Sequence, residues 1–122
     1  MKTILCIEGQ ERQLQELKAA VEDAGYEALT AATAQQALDV FATRPVDGVL
    51  LDCRLPDLNG ATVRRRLTHI KPDVPVLMFD GRANDFSTGL RCIEAYIQQP
   101  DPPDSLLSRV AGAAHKLPRT NG

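Results

Sequence analysis

Short apolar runs alternate along this chain with stretches whose apolar residues recur at helical spacing. Thr3 to Ile7 is a run of β-type residues that stops at Glu8-Gly9. From Glu11 to Ala24, the residues Leu14, Leu17, Val21 and Ala24 share one face, which predicts a helix closed by Gly25 as a left-handed cap. Tyr26 to Ala31 reads as a second strand. Thr33 to Thr43 reads as a second helix, with Thr33 and Gln36 as a capping box and Ala34, Ala37, Leu38 and Phe41 inward. Arg44-Pro45 ends it. Val46 to Leu51 is a third strand, apolar enough to be buried on both faces of a sheet. A third helix spans Gly60 to Ile70 with Val63, Leu67 and Ile70 inward, and Val76 to Phe79 is a fourth strand that stops at Asp80-Gly81. A helical pattern interrupted by Gly89 covers Ala83 to Arg91. Ala95-Tyr96-Ile97 is a short fifth strand ending at Gln98-Gln99-Pro100, and a last helix runs from Pro103 or Asp104 to His115.

Five strands alternating with five helices predict an α/β fold with a parallel sheet and helices on both faces. The flavodoxin-like, doubly wound order 2-1-3-4-5 follows as the expected topology. It sets strands one and three side by side and gathers Glu8, Asp52 and Asp80 at the carboxyl edge, where such sheets bind ligands.

The 122 residues suffice for one domain, read as 1–116 with a polar tail over 117–122. A formal net charge of −2 argues against a nucleic-acid partner, and the run Arg64-Arg65-Arg66 reads as a solvated helix face. No apolar stretch approaches the ~20 residues of a membrane span, and no secretory leader pattern opens the chain. The three cysteines lack the paired spacing of a zinc site, so a reducing, cytoplasmic setting is expected. Cys6 reads as a small buried hydrophobe and Cys53 as an inert thiol, while His69 and His115 read as surface residues.

The stretch Val49 to Gly60 carries the chemistry. An apolar strand stops at Asp52, and Leu55-Pro56-Asp57-Leu58-Asn59-Gly60 then turns the chain. This pattern resembles the phosphoacceptor segment of response-regulator receiver domains, and the resemblance extends over nearly the whole chain. It implies that Asp52 takes a phosphoryl group. Magnesium would be held by Asp52, by an acidic pair after strand one and by the backbone carbonyl of Arg54. A hydroxyl residue after strand four and a lysine before a proline would contact the phosphate, and an aromatic residue three positions before that lysine would follow the switch.

Matched position by position, the acidic pair is Glu8-Gly9, the hydroxyl residue is Asp80 followed by Gly81, the lysine is Gln99 before Pro100, and the aromatic residue is Tyr96. A phosphoaspartate adds about −1.5 to −2 charge. Gln99 donates hydrogen bonds without charge, and an ionised Asp80 repels the phosphate. Arg54 and Arg82, each two residues beyond a strand-end aspartate, are the nearby cations in sequence.

The expectation is therefore a non-enzymatic signalling module of a two-component phosphorelay: an atypical receiver, or pseudo-receiver, with impaired phosphorylation. Magnesium binding is expected to be weak or absent unless Asp80 turns inward as a further ligand. A histidine kinase or another signalling protein is the expected partner. The family's usual partner face, around helix four, strand five and helix five, makes a homodimer through it a further expectation. The alternative is a small flavodoxin-like ligand-binding protein or metal-assisted enzyme using Glu8, Asp52 and Asp80, although no glycine-rich phosphate loop is present.

Overall fold

A computed structural model describes residues 1–80 together with 90 and 91. Four parallel strands form one sheet: β1 (Thr3–Ile7), β2 (Glu27–Ala31), β3 (Gly48–Asp52) and β4 (Val76–Phe79), in the order β2-β1-β3-β4. Between them lie α1 (Glu11–Asp23), α2 (Ala34–Thr43) and α3 (Gly60–Ile70). The four described strands stand in the expected order. The expected fifth strand, the last helix and the tail lie outside the described residues, as do Gly81, Arg82, Tyr96 and Gln99. Of the expected fourth helix, Leu90 and Arg91 are described and helical, and Leu90 is buried.

Every residue of the central strands β1 and β3 is buried. Strand alternation sorts their side chains into two cores. Ile4, Cys6 and Leu50 meet Leu14, Leu17 and Val21 of α1, with Leu77, Phe79 and Leu90. Leu5, Ile7, Val49 and Leu51 meet Ala34, Ala37 and Phe41 of α2 and Val63 and Leu67 of α3. Each fully buried Leu, Ile, Val or Phe contributes roughly 1.5–3 kcal/mol, so both helix layers are held by the sheet rather than by their own propensity.

Local signals place the helix ends. Gly25 takes φ 95°, the left-handed region expected after α1, and its N–H donates to the Glu22 carbonyl at 3.0 Å. Thr33 Oγ1 accepts from Gln36 N–H at 3.1 Å. The reciprocal half of the expected capping box is displaced by one residue, because Gln36 Oε1 accepts from Ala32 N–H at 2.9 Å.

Several element ends and two core assignments differ from the sequence reading. β2 begins at Glu27, one residue late, and α2 begins at Ala34 with Thr33 as its cap. α1 ends at Asp23, so that Ala24 is its exposed C-cap and not a core residue. β3 begins at Gly48, although Val46 is still buried, and it includes Asp52 as its last residue. Ile70 is exposed at 41% instead of facing inward. Periodicity fixes its direction around the α3 axis but not how far the neighbouring layer extends along it. Ile70 is the last helical residue, and the chain leaves the helix at Lys71.

Candidate functional site

Strand register builds the site. β1 pairs with β3 through Ile7 opposite Leu51, so the next residues, Glu8 and Asp52, stand side by side. β3 pairs with β4 through Asp52 opposite Phe79, which sets Asp80 just beyond the same edge. Cys53 N–H extends this pairing by donating to the Phe79 carbonyl at 2.8 Å. All three expected carboxylates are buried: Glu8 at 1%, Asp52 at 4% and Asp80 at 1% exposure. One ligand atom each from Asp52, Cys53 and Asp80 lie within 4.8 Å of one another. Glu8 joins from the other side through a hydrogen bond between its carboxyl and that of Asp52.

Burial first, then this hydrogen bond and the Asp52 charge, push the Glu8 carboxyl from 4.5 up to about 8. Gln10 N–H donates to Glu8 Oε2 at 2.9 Å, which pulls the other way. With its nitrogen facing the site, the Gln13 amide of α1 donates to Glu8 Oε2 at 3.1 Å and Oε1 at 3.3 Å. Burial also raises the Cys53 thiol, reinforced by Asp52 and Asp80, which fits the inert thiol expected there. The buried Cys6 thiol is pushed up to about 12 by desolvation.

The loop after Asp52 is tied at several points. Arg54 N–H donates to Asp52 Oδ1 at 3.2 Å, an Asx turn that sets the carboxylate's orientation. Gly60 N–H donates to the Cys53 carbonyl at 3.2 Å, and Asn59 Oδ1 caps α3 by accepting from Thr62 N–H at 2.9 Å. A Cβ at Gly60 would sit 2.8 Å from both Cys53 Cα and Met78 Sδ, so the loop returns over the sheet only because this residue has no side chain. Asp57 reaches across to α2, where its two carboxylate oxygens accept from Ala34 N–H at 2.8 Å and Gln35 N–H at 3.1 Å. The bond from Ala34 leads in holding the Asp57 carboxyl below its ordinary range.

Gly9 packs closely against the loop after Asp52. A Cβ there would lie 3.1 Å from Pro56 Cδ and 3.8 Å from the Arg54 carbonyl oxygen. Gly9 also lines a cavity of about 520 Å3 with Glu8, Gln10, Gln13, Asp52, Arg54, Leu55 and Pro56. The Arg54 side chain is exposed.

The structure thus brings together Glu8, Asp52, Asp80 and the Arg54 carbonyl, all singled out from sequence. It adds Gln13 and Asp57, which sequence reading missed. Gln13 lies in the first turn of α1, five residues past a strand-end acid, and that spacing is the signal that would have found it. Asp57 looked like a turn residue, and nothing in its neighbourhood points to a helix 23 positions earlier.

A parallel sheet in this order, with a buried aspartate closing its third strand and a second acid beside it, defines a receiver-type α/β domain. The chain belongs to the response regulator receiver domain family, whose pattern it matches over residues 4–110. It is 33% identical over 114 residues to the phosphate regulon transcriptional regulatory protein PhoB of Pseudomonas aeruginosa, covering 89% of this chain and 50% of that protein. The chain spans about half the length of the curated relatives it matches. Among solved structures it resembles the response regulator TrrA of Thermotoga maritima in complex with Mg2+–BeF, with TM-score 0.65, 28% identity and coverage of 71% and 76% of the two chains. TrrA is also solved in complex with the histidine kinase ThkA, where the likeness has TM-score 0.62, 29% identity and coverage of 66% and 69%. A CheY-like receiver domain from Methanospirillum hungatei shares the fold over 95% of both chains, with TM-score 0.65 and 24% identity. Among the described residues, no helix is long and apolar enough to cross a membrane.

Proposed function

We propose that this chain is an atypical receiver that works in a two-component system by protein–protein contact, with Asp52 at the phosphoacceptor position and phosphoryl transfer to it impaired. The observation that carries the reading is glycine at position 9, in the cavity lining beside Glu8, Asp52 and Arg54. The family pattern has a second acid there, and glycine supplies none. Its neighbour Glu8 holds a proton against Asp52 instead of offering free charge.

The donor set suits a hard cation in kind. Glu8, Asp52, Asp80 and the Arg54 carbonyl are all oxygen donors, the class magnesium takes. They would hold the ion, and the ion when bound would supply positive charge against a phosphoryl group. Binding in this chain competes with the Glu8 proton, because a neutral carboxyl is a poor ligand. Weak magnesium binding follows. The residues themselves orient Asp52 through the Arg54 N–H and restrict water around it by burial. Asp80 offers an incoming phosphoryl group no hydroxyl donor where the family pattern has one, and in its ionised form repels it.

The switch roles of Asp80, Gly81, Tyr96 and Gln99 are part of this proposal. With no ammonium at Gln99 and no hydroxyl at Asp80, the phosphorylated and free forms differ little in stabilising contacts, and a small difference moves a two-state equilibrium little. The partner is a histidine kinase or another signalling protein in the cytoplasm. TrrA's complex with its kinase supports the first by similarity.

The test is a titration of the chain with magnesium and beryllofluoride, followed by NMR at Tyr96 and Asp52. The wild type should leave Tyr96 nearly unchanged. The combined variant Gly9→Asp, Asp80→Thr, Gln99→Lys should respond, and Asp52→Asn should abolish that response. A full, Asp52-dependent Tyr96 response in the wild type would leave an ordinary phosphorylated receiver in place of this reading.

A further inference from the structure

The cleft between α2 and α3 lies on a helix face away from the carboxylate edge. It is lined by Leu38 of α2 and by Arg65, Arg66, His69 and Ile70 of α3, and it encloses about 380 Å3. Ile70, at 41% exposure, is the one large apolar side chain left exposed among the described residues apart from the terminal Met1. Leu38 is half-buried and forms the opposite wall. An exposed apolar pit framed by polar groups is the usual form of a contact site, whereas an isolated exposed leucine means little.

The fully charged side chains that line it, Arg65 and Arg66, have one sign. α3 reads Gly-Ala-Thr-Val-Arg-Arg-Arg-Leu-Thr-His-Ile and contains no acid, in a chain whose formal net charge is −2. Arg65 reaches only its own helix, at 3.5 Å from Thr62 Oγ1, and Arg66 makes no ion pair among the described residues. Asp39, the acid of α2, is engaged by Gln35 Nε2 at 3.1 Å. Lys71, next in sequence to Ile70, is held away from the lining: its ammonium stacks 4.9 Å above the Phe41 ring and donates to the Arg44 carbonyl at 2.9 Å. Arg65 and Arg66 are exposed, as expected of a solvated helix face, and among the described residues neither forms an ion pair beside the apolar pit.

We propose that the α2–α3 cleft docks an acidic amphipathic helix of a partner protein. An apolar residue of that helix fills the pit between Leu38 and Ile70, and flanking Asp or Glu side chains meet Arg65 and Arg66. A furrow between two packed helices accepts a third helix, with apolar anchors at helical spacing. A lipid surface fits less well, since interfacial binding needs a broad apolar face rather than one pit. A nucleic-acid backbone would leave the pit empty. The inference does not depend on the chemistry of Asp52.

The experiment selects a displayed library of randomised helical peptides on the full chain, with counter-selection on the Arg66→Glu, Ile70→Glu variant. The winning peptide then becomes a fluorescent probe, and phosphatidylglycerol vesicles are run in parallel. Cleft-dependent winners should share apolar residues at helical spacing flanked by Asp and Glu. They should shift the NMR signals of Leu38, Arg65, Arg66 and Ile70. Ile70→Ser should weaken the probe about thirtyfold, as a hot-spot truncation does, and added salt should weaken it further. Ile70 is exposed, so these variants keep the fold, and unchanged NMR dispersion checks this. No cleft-dependent winners, or winners that are basic or uncharged, would overturn the proposal. Vesicle binding that is lost in the variant while no peptide binds would replace the partner helix with a lipid.

Discussion

Replacing Glu8 by glutamine isolates the cost of the buried carboxyl pair. The folded chain holds the Glu8 proton up to about 8, against 4.5 for an ordinary glutamate. The folded state therefore binds one more proton than the unfolded state between these values. Stability contributed by the protonated pair is complete below about 4.5 and falls as pH rises through about 8. The slope is up to ~1.4 kcal/mol per pH unit, and full ionisation costs on the order of 3–5 kcal/mol. Glutamine keeps a donor for Asp52 and an acceptor for Gln10 N–H but does not titrate. Urea unfolding of both proteins in EDTA, from mildly acidic to mildly alkaline buffer, gives the difference free of other titrating groups. The variant should gain on the wild type by a few kcal/mol as pH rises. A stability difference that stays within ~0.5 kcal/mol across that range would refute the shared proton and return Glu8 to an ordinary ionised acid.

Three other outcomes follow from the same geometry. Gly9→Asp should tighten magnesium binding about tenfold by calorimetry, because it adds a carboxylate to the cavity lining; Pro56 must yield by a few tenths of an ångström, and unchanged affinity would count against the missing carboxylate as the cause of weak binding. Gly60→Ala should destabilise the chain by roughly 1–3 kcal/mol in urea, since its methyl group meets Cys53 backbone and Met78 sulfur; a neutral result would mean that the loop relaxes freely. Cys53 should alkylate more slowly than a free cysteine at neutral pH, and Cys6 only on unfolding, as peptide mass spectrometry would show; fast labelling of Cys53 would contradict its raised thiol.

The order of the described strands was legible because it rests on coarse signals. Short apolar runs alternating with helical patterns leave few topologies, the flavodoxin-like order sets strands one and three side by side, and the apolar run of β3 marked it as buried on both faces. Asp52 and Glu8 were legible as neighbours because parallel register brings strand ends level. The burial of Glu8 was not, because the apolar run ends at Ile7 and a lone acid beyond a strand usually faces water. Its raised pKa is set first by that burial and then by Asp52, 44 residues distant in sequence. Gln13 and Asp57 act through side-chain reach between elements, which local periodicity does not carry. Ile70 failed for a different reason: a helical pattern states which way a side chain points and not whether anything stands there.

The bonds from Asp57 to Ala34 and Gln35 bear on the order in which the chain assembles. Thr33 supplies one cap of α2 from its own neighbourhood, but two of the first backbone donors of that helix wait for a residue 23 and 22 positions later. The start of α2 is therefore completed only after β3 has joined the sheet and its loop has turned. Closing a loop of that length has an entropic cost before the contact returns anything. A chain that ends before residue 57 lacks the acceptor for these two donors and has only the Thr33 cap at the start of α2.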